Sequence, residues 1–183
     1  ARDVKDCIDE FENLVRVKGF RSVYFDDDTF NVGKDRMISL TDEIIKRGLS
    51  NIPWAIMARA DLMDEEILAN MKRAGLWAIK YGLESGSQLL VERCNKDLNL
   101  DHARHIIKRT QSLGIKVHLT FCFGLPGETE ETVKETVRYA LDLNPDSLQF
   151  SILTPFPGTE MFRNLDKDGK ILTRDWDAYD GHH

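Results

Sequence analysis

No apolar run in the 183 residues approaches the roughly 18 that a membrane-spanning helix needs, so no transmembrane span is expected. Positive charge is also short: 25 Lys and Arg against 31 Asp and Glu leave a net charge of −6. That balance argues against sequence-independent binding to nucleic acid or to an anionic membrane, which both call for a basic face. Cysteine is scarce. Cys7, Cys94 and Cys122 are odd in number and far apart, so they form neither a disulfide framework nor a metal-ligand cassette, and they fit a reducing cytoplasm. The opening ARDVKDCIDEFENL reads as an amphipathic helix and lacks the apolar centre of a signal peptide. The length suits one well-buried domain and falls short of the ~250 residues of a typical eight-stranded α/β barrel.

What is present is a repeated unit. Val117–Leu141, VHLTFCFGLPGETEETVKETVRYAL, passes from a strand-length apolar segment through a Gly-Leu-Pro-Gly turn straight into a helix. Thr129 is the natural N-cap, and Glu130 and Glu131 occupy the first turn, where the helix favours negative charge. Val133, Val137, Ala140 and Leu141 then recur at helical spacing. A strand apolar on both faces is expected to be buried on both, the habit of parallel sheets covered by helices. The same alternation runs along the chain. Helices are predicted over Asp3–Lys18, Asp35–Arg47, Asp64–Arg73, Ser87–Arg93, Leu100–Leu113 and Thr129–Leu143. Strands are predicted over Ser22–Phe25, Trp54–Ala58, Leu76–Leu83, the segment from Val117, and Ser147–Leu153. Alternation of this kind implies right-handed βαβ crossovers and a parallel sheet. From Gly158 the sequence is polar apart from Met161, Phe162, Ile171 and Leu172, and it is expected to wrap the barrel edge.

Parallel α/β folds bind ligands at the carboxyl ends of their strands. Those ends here carry Asp26-Asp27-Asp28, Arg59, Glu84-Ser85, Gly124–Gly127 and Thr154-Pro155. Each has a plain structural explanation. Asp28 or Asp35 serves as a helix cap, and Arg59 as half of a surface salt bridge. Of the adjacent Asp26 and Asp27, one side chain is expected to face inward and one outward. The aspartates make no calcium loop, since the twelfth residue from Asp26 is Met37 where that loop has a glutamate. Glu84, at the end of a buried strand, is uncommon unless paired or functional. His118, alone inside a strand, is expected to be a satisfied core histidine. Gly124-Leu125-Pro126-Gly127 by itself asks only for a tight turn.

Taken together and in this order, YFDDDTF, GLESGS, FGLPGET and TPFPGTEMF resemble the radical S-adenosylmethionine (SAM) superfamily. The resemblance is closest to the group of methylthiotransferases, cobalamin-dependent radical enzymes and the anaerobic magnesium-protoporphyrin ester cyclase. It covers residues 1–162, with 163–183 left as a tail. It implies an incomplete parallel (β/α)6 partial barrel of about five βα units with the first strand missing. The family's C-x3-C-x2-C loop, which binds a [4Fe–4S] cluster, has no counterpart here: Cys7, Cys94 and Cys122 lie on a helix, a connecting helix and a strand. The expectation is therefore a truncated core that binds no cluster and is inactive by itself.

The resemblance also carries over residue by residue. Asp26 and Asp27 fall where the family receives the amino group of SAM, with an acidic pair in place of the usual Gly-Gly-Glu. Arg59 falls at the third strand end, facing the SAM carboxylate or the substrate, and Glu84 and Ser85 fall where polar groups reach the ribose and methionyl part. Lys96 matches a basic residue for the SAM carboxylate, and Thr120 a ribose-binding position. Gly124, Leu125 and Pro126 let the backbone approach the cofactor, and Leu153 lies where backbone holds the adenine. In the intact family a reduced cluster cleaves SAM to a 5′-deoxyadenosyl radical. The implied partners are a small-molecule substrate, a flavodoxin or ferredoxin as reductant, and cobalamin through an upstream domain. Two other readings remain open at this point: a divalent-metal α/β-barrel hydrolase or aldolase using Asp26, Asp27 and Glu84, and a non-catalytic binding module. A missing first strand would leave one sheet edge unpaired and open to self-association.

Overall fold

Local sequence sets the helix starts and stops. The computed structural model describes residues 2–94 and 96–179. Helix α1 (Val4–Arg16) begins at Asp3, whose side chain accepts from the backbone N–H of Lys5, and buries Ile8 and Phe11. Helix α3 (Glu65–Arg73) is capped by Asp64 and α5 (Leu100–Ser112) by Asn99. Helix α6 (Glu130–Leu143) has Thr129 as its N-cap, as its sequence foretold, and Thr132 completes a capping box with it. Helix α2 (Lys34–Lys46) differs from expectation. Gly33 is its N-cap, with no side-chain cap bond, so neither Asp28 nor Asp35 caps it.

Between these helices lie β1 (Val23–Phe25), β2 (Trp54–Ala58), β3 (Leu76–Glu84), β4 (Lys116–Phe123) and β5 (Ser147–Ile152). They pair in parallel in chain order, β1-β2-β3-β4-β5, with a short helix α4 (Gln88–Arg93) after β3. Every connection thus adds a strand on the same side, the winding of an incomplete α/β barrel. No helix among the described residues is long and apolar enough to cross a membrane.

The two faces of this sheet differ sharply in chemistry. On the helix-facing side, register aligns Ile56, Ile79 and Val117, then Ala58, Tyr81 and Leu119, and all six are buried. At roughly 1.5–3 kcal/mol for each large apolar side chain, this face holds the fold together. Its polar atoms are satisfied: the Trp54 indole donates to Ala74 O at 2.8 Å, and the Tyr81 hydroxyl lies 3.1 Å from Thr110 Oγ1. The inner face carries Met57, Lys80 and His118, then Gly82 and Thr120, all half-exposed. The expectation that the Val117 strand is buried on both sides therefore holds on one side only. Helices cover just the outer side of the sheet. Consequently His118 is not a core histidine.

The last strand is exposed on both sides, with Ile152 the most open of its large apolar residues. The polar tail forms a helix that sequence analysis did not foresee, α7 (Glu160–Lys167), capped by Thr159 and burying none of its residues. Beyond it, Arg174 pairs with Asp166, and Trp176 packs on Tyr179.

Candidate functional site

Strand β3 organises the site. Its last residues leave regular pairing, with a shift in register between Gly82 and Glu84, and Glu84 takes a left-handed backbone (φ 63°). The carboxylate accepts from Lys96 Nζ at 2.6 Å, and the same ammonium donates to Gly82 O at 3.0 Å. Both side chains are part-buried, at 18% exposure for Lys96 and 35% for Glu84. Gly82 pairs across the sheet with Thr120. A Cβ built on Gly82 would lie 3.4 Å from Glu84 Oε1, 3.5 Å from Lys96 Nζ and 3.5 Å from Thr120 Oγ1. Glycine thus leaves open the point on which an acceptor, a cation and a hydroxyl converge.

The turn after β4 forms the neighbouring wall. Gly124 has φ 85°, and its N–H donates to Glu128 Oε2 at 2.7 Å. Leu125, Leu90 and Cys122 form a small apolar cluster against which Cys94 and Leu153 pack. The Leu153 N–H is taken by Phe123 O at 2.8 Å, which leaves the Leu153 carbonyl as its backbone group for a ligand. Burial, and then the charge of Glu84, push the Cys94 thiol up, and burial does the same to Cys122. Both thiols are neutral near pH 7.

Asp26 and Asp27 are exposed at the end of β1 and line a cleft of about 300 Å³ with Phe11, Phe25 and Arg36. Asp27 Oδ1 accepts from Thr29 N at 3.3 Å. Arg59 is committed elsewhere. Its guanidinium pairs with Asp61 at 2.7 Å, and buried Asn31 clasps its backbone in both directions. Ser85 is fully buried, and its hydroxyl lies 3.0 Å from Thr136 Oγ1 and accepts from Ser87 N at 3.1 Å. It ties the loop to α6, so its hydroxyl is not presented beside Glu84. Next to it, a Cβ on Gly86 would come within 2.6 Å of Tyr139 Cβ and 2.7 Å of Thr136 Cα, so glycine is required for that close approach.

The structure thus brings together Glu84, Lys96 and Thr120, with Gly124, Leu125, Pro126 and Leu153 alongside at the ends of β4 and β5. Arg59 and the Ser85 hydroxyl are turned to local partners. Sequence reading missed Gly82, Glu128 and Thr136. It also passed over an inner-face row of Lys80, His118 and Ser147, in which His118 Nδ1 lies 2.8 Å from Ser147 Oγ. The signal was available as the period-2 alternation of His118 and Thr120 with Val117, Leu119 and Phe121.

A profile described as "Radical SAM superfamily" matches residues 1–140. The chain belongs to the radical SAM superfamily. It is 31% identical over 179 residues to an uncharacterized methyltransferase of Pyrococcus horikoshii, covering 98% of this chain and 39% of that protein. It is also 31% identical over 180 residues to the anaerobic magnesium-protoporphyrin IX monomethyl ester cyclase of Rubrivivax gelatinosus, covering 97% and 32%. Among solved structures, the radical SAM methyltransferase TsrM of Kitasatospora setae, with cobalamin and a [4Fe-4S] cluster bound, superposes with a TM-score of 0.82. The identity is 23%, over 91% of this chain and 32% of that one. The chain therefore spans about a third to two-fifths of the length of these relatives.

Radical SAM proteins use SAM and a [4Fe–4S] cluster, and the residues described here fit only the first. An ammonium, a carboxylate and a hydroxyl around an open glycine suit a zwitterion that also carries a ribose. No group of three His, Cys, Asp or Glu side chains that could hold a metal occurs among the described residues. That finding also leaves Asp26, Asp27 and Glu84 without the grouping a metal hydrolase would need.

Proposed function

We propose that this chain is the SAM-binding part of a longer radical SAM enzyme and that SAM lies over Gly82. The observation that carries the reading is the convergence of Glu84, Lys96 and Thr120 on that glycine. The Lys96 ammonium has three donors and spends two on Glu84 and Gly82 O, so one remains for the SAM carboxylate. Glu84 and Thr120 take the ribose hydroxyls or the methionyl part. The Leu153 carbonyl and the backbone of Gly124, Leu125 and Pro126 border the adenine, and Asp26 and Asp27 offer acceptors to the amino group. SAM, when bound, supplies the carbon-centred radical of this superfamily. This chain's own residues bind and orient it, and they keep water from one side through the cluster of Leu90, Leu125 and Leu153.

The cluster's thiolates would come from sequence outside these 183 residues, and the isolated chain would have no radical activity. Two points support this: the missing thiolate set and the one-third coverage of the relatives. A small-molecule substrate, a flavodoxin or ferredoxin as reductant, and an upstream cobalamin-binding region complete the proposed enzyme. TsrM, solved with cobalamin, favours the last of these. Iron and acid-labile sulfide per chain, after anaerobic reconstitution, test the reading. About four irons on a polypeptide extended upstream in the parent gene, with SAM cleaved on reduction, are expected. The 183-residue chain should take up none. A stoichiometric, SAM-cleaving cluster on the 183-residue chain would overturn the division of labour proposed here. No cluster on either would favour the binding-module reading.

A further inference from the structure

Below the SAM site, one row of the inner face carries a charge that no ion pair among the described residues balances. Register places Met57, Lys80, His118 and Ser147 side by side on β2 to β5. Lys80 and His118 are half-exposed, and neither belongs to the apolar core. No carboxylate among the described residues pairs with Lys80. Glu84, two inner-face positions up the same strand, is held by Lys96 at 2.6 Å, and Asp146, near the lower end of β4, is held by Lys116 at 2.6 Å. Next to Lys80, His118 Nδ1 is in hydrogen-bond contact with Ser147 Oγ at 2.8 Å.

We propose that Lys80, His118 and Ser147 form the recognition site for the carboxylate of a small-molecule substrate. The ammonium supplies the charge. Ser147 donates to His118 Nδ1, which fixes the tautomer with its proton on Nε2, and that N–H becomes the second donor. Burial first, and then Lys80, hold His118 below its ordinary value, so the row carries one positive charge near neutral pH. One charge with two donors on strands about 4.8 Å apart matches a monoanionic carboxylate better than a dianionic phosphate. The groups facing this row from neighbouring positions are Met57 on β2, Gly82 and Thr120 above, Ala78 and Lys116 below, and Gln149 on β5; of these Lys116 alone is ionisable, and its ammonium is held by Asp146 at 2.6 Å. One inner-face position below the row, toward β1, lie Ala78, Ala55 and Tyr24, so the body of a ligand extending that way meets apolar and aromatic surface. Its assignment to substrate rests on the SAM-site reading above, which places the reacting centre over Gly82, one inner-face position up from Lys80.

The test is an NMR titration of the full chain with benzoate as probe and benzamide as its uncharged counterpart, reading the Lys80 ammonium and the His118 ring. Benzoate is expected to shift both saturably in the millimolar range, and benzamide to shift neither. Lys80→Met should weaken benzoate about tenfold or more, and Lys18→Met, on the exposed surface, should leave it unchanged. His118→Gln, which keeps an N–H donor, should fall between wild type and Lys80→Met. Equal response to benzoate and benzamide, or wild-type affinity in Lys80→Met, would overturn the proposal. So would benzoate shifts confined to Lys96 or Arg59. SAM is titrated into a parallel sample, reading the backbone of Gly82 and Thr120. If SAM moves nothing there while benzoate still moves Lys80 and His118, the carboxylate site stands and the SAM-site reading fails.

Discussion

The two faces of the sheet share strands, register and backbone, yet they do different work. On the helix side, Tyr81 and Leu119 are buried neighbours whose volume holds the fold. One residue further along each strand, Gly82 and Thr120 are half-exposed neighbours that open onto a carboxylate and an ammonium. Because side chains alternate between faces, stability and chemistry are written on interleaved residues of one strand. A substitution at one position should therefore move stability, and its immediate neighbour should move ligand binding.

Leu119→Ala should give the largest loss. It removes a fully buried side chain, and about 2–5 kcal/mol should disappear from the denaturant midpoint. Its neighbour Thr120→Val should change stability by less than about 1 kcal/mol while weakening SAM binding. Equal stability effects at the two positions would break the contrast between the faces. Gly86→Ala comes next. The added methyl meets Tyr139 Cβ at 2.6 Å and backbone of α6 at 2.7 Å, so overpacking should cost about 1–3 kcal/mol and lower the melting temperature. Lys96→Met is smaller in stability, about 1 kcal/mol, because Glu84 stays part-exposed and water takes over some of the lost partner's role. In calorimetry, however, it should weaken SAM about tenfold or more, since its third donor is lost to the ligand.

The smallest effect is a pH slope. His118 in the folded chain titrates below its ordinary value near 6.5, because burial and then Lys80 oppose its charge. As pH falls below ~6.5 the unfolded chain binds the proton first, so stability declines with falling pH until the folded value is reached. Above ~6.5 the term vanishes. His118→Gln should flatten this part of the stability profile between pH 5 and 7. An unchanged slope would mean that neither burial nor Lys80 opposes the charge of the ring.

Much of the architecture was legible because helix starts and parallel strands leave local marks. Thr129 announced its cap, and the apolar run from Val117 announced a parallel strand covered by helices, which holds on one face. The site was legible in part. Glu84 stood out as a charge at a buried strand end, but its partner lies 12 residues away across a helix, and no local pattern fixes that pairing. Ser85 looked equally polar. Its hydroxyl turned out to serve Thr136, 51 residues on, because α6 packs against the loop through Gly86. Arg59 met Asp61 two residues later, a pairing that the sequence made available but did not require. The inner row of Lys80, His118 and Ser147 was hidden for another reason. Parallel register links residues 29 or more apart, and a strand flanked by helices was expected to be covered on both sides.

The most direct measurement is a backbone amide chemical-shift map of the chain titrated with SAM. Shifts centred on Gly82, Glu84, Lys96, Thr120 and Gly124, with the helix-facing residues Ile79 and Leu119 perturbed far less, are expected. Shifts centred at the opposite strand ends, near Lys108 and Asp146, or no binding at any SAM concentration, would contradict the assignment of the inner face to the cofactor.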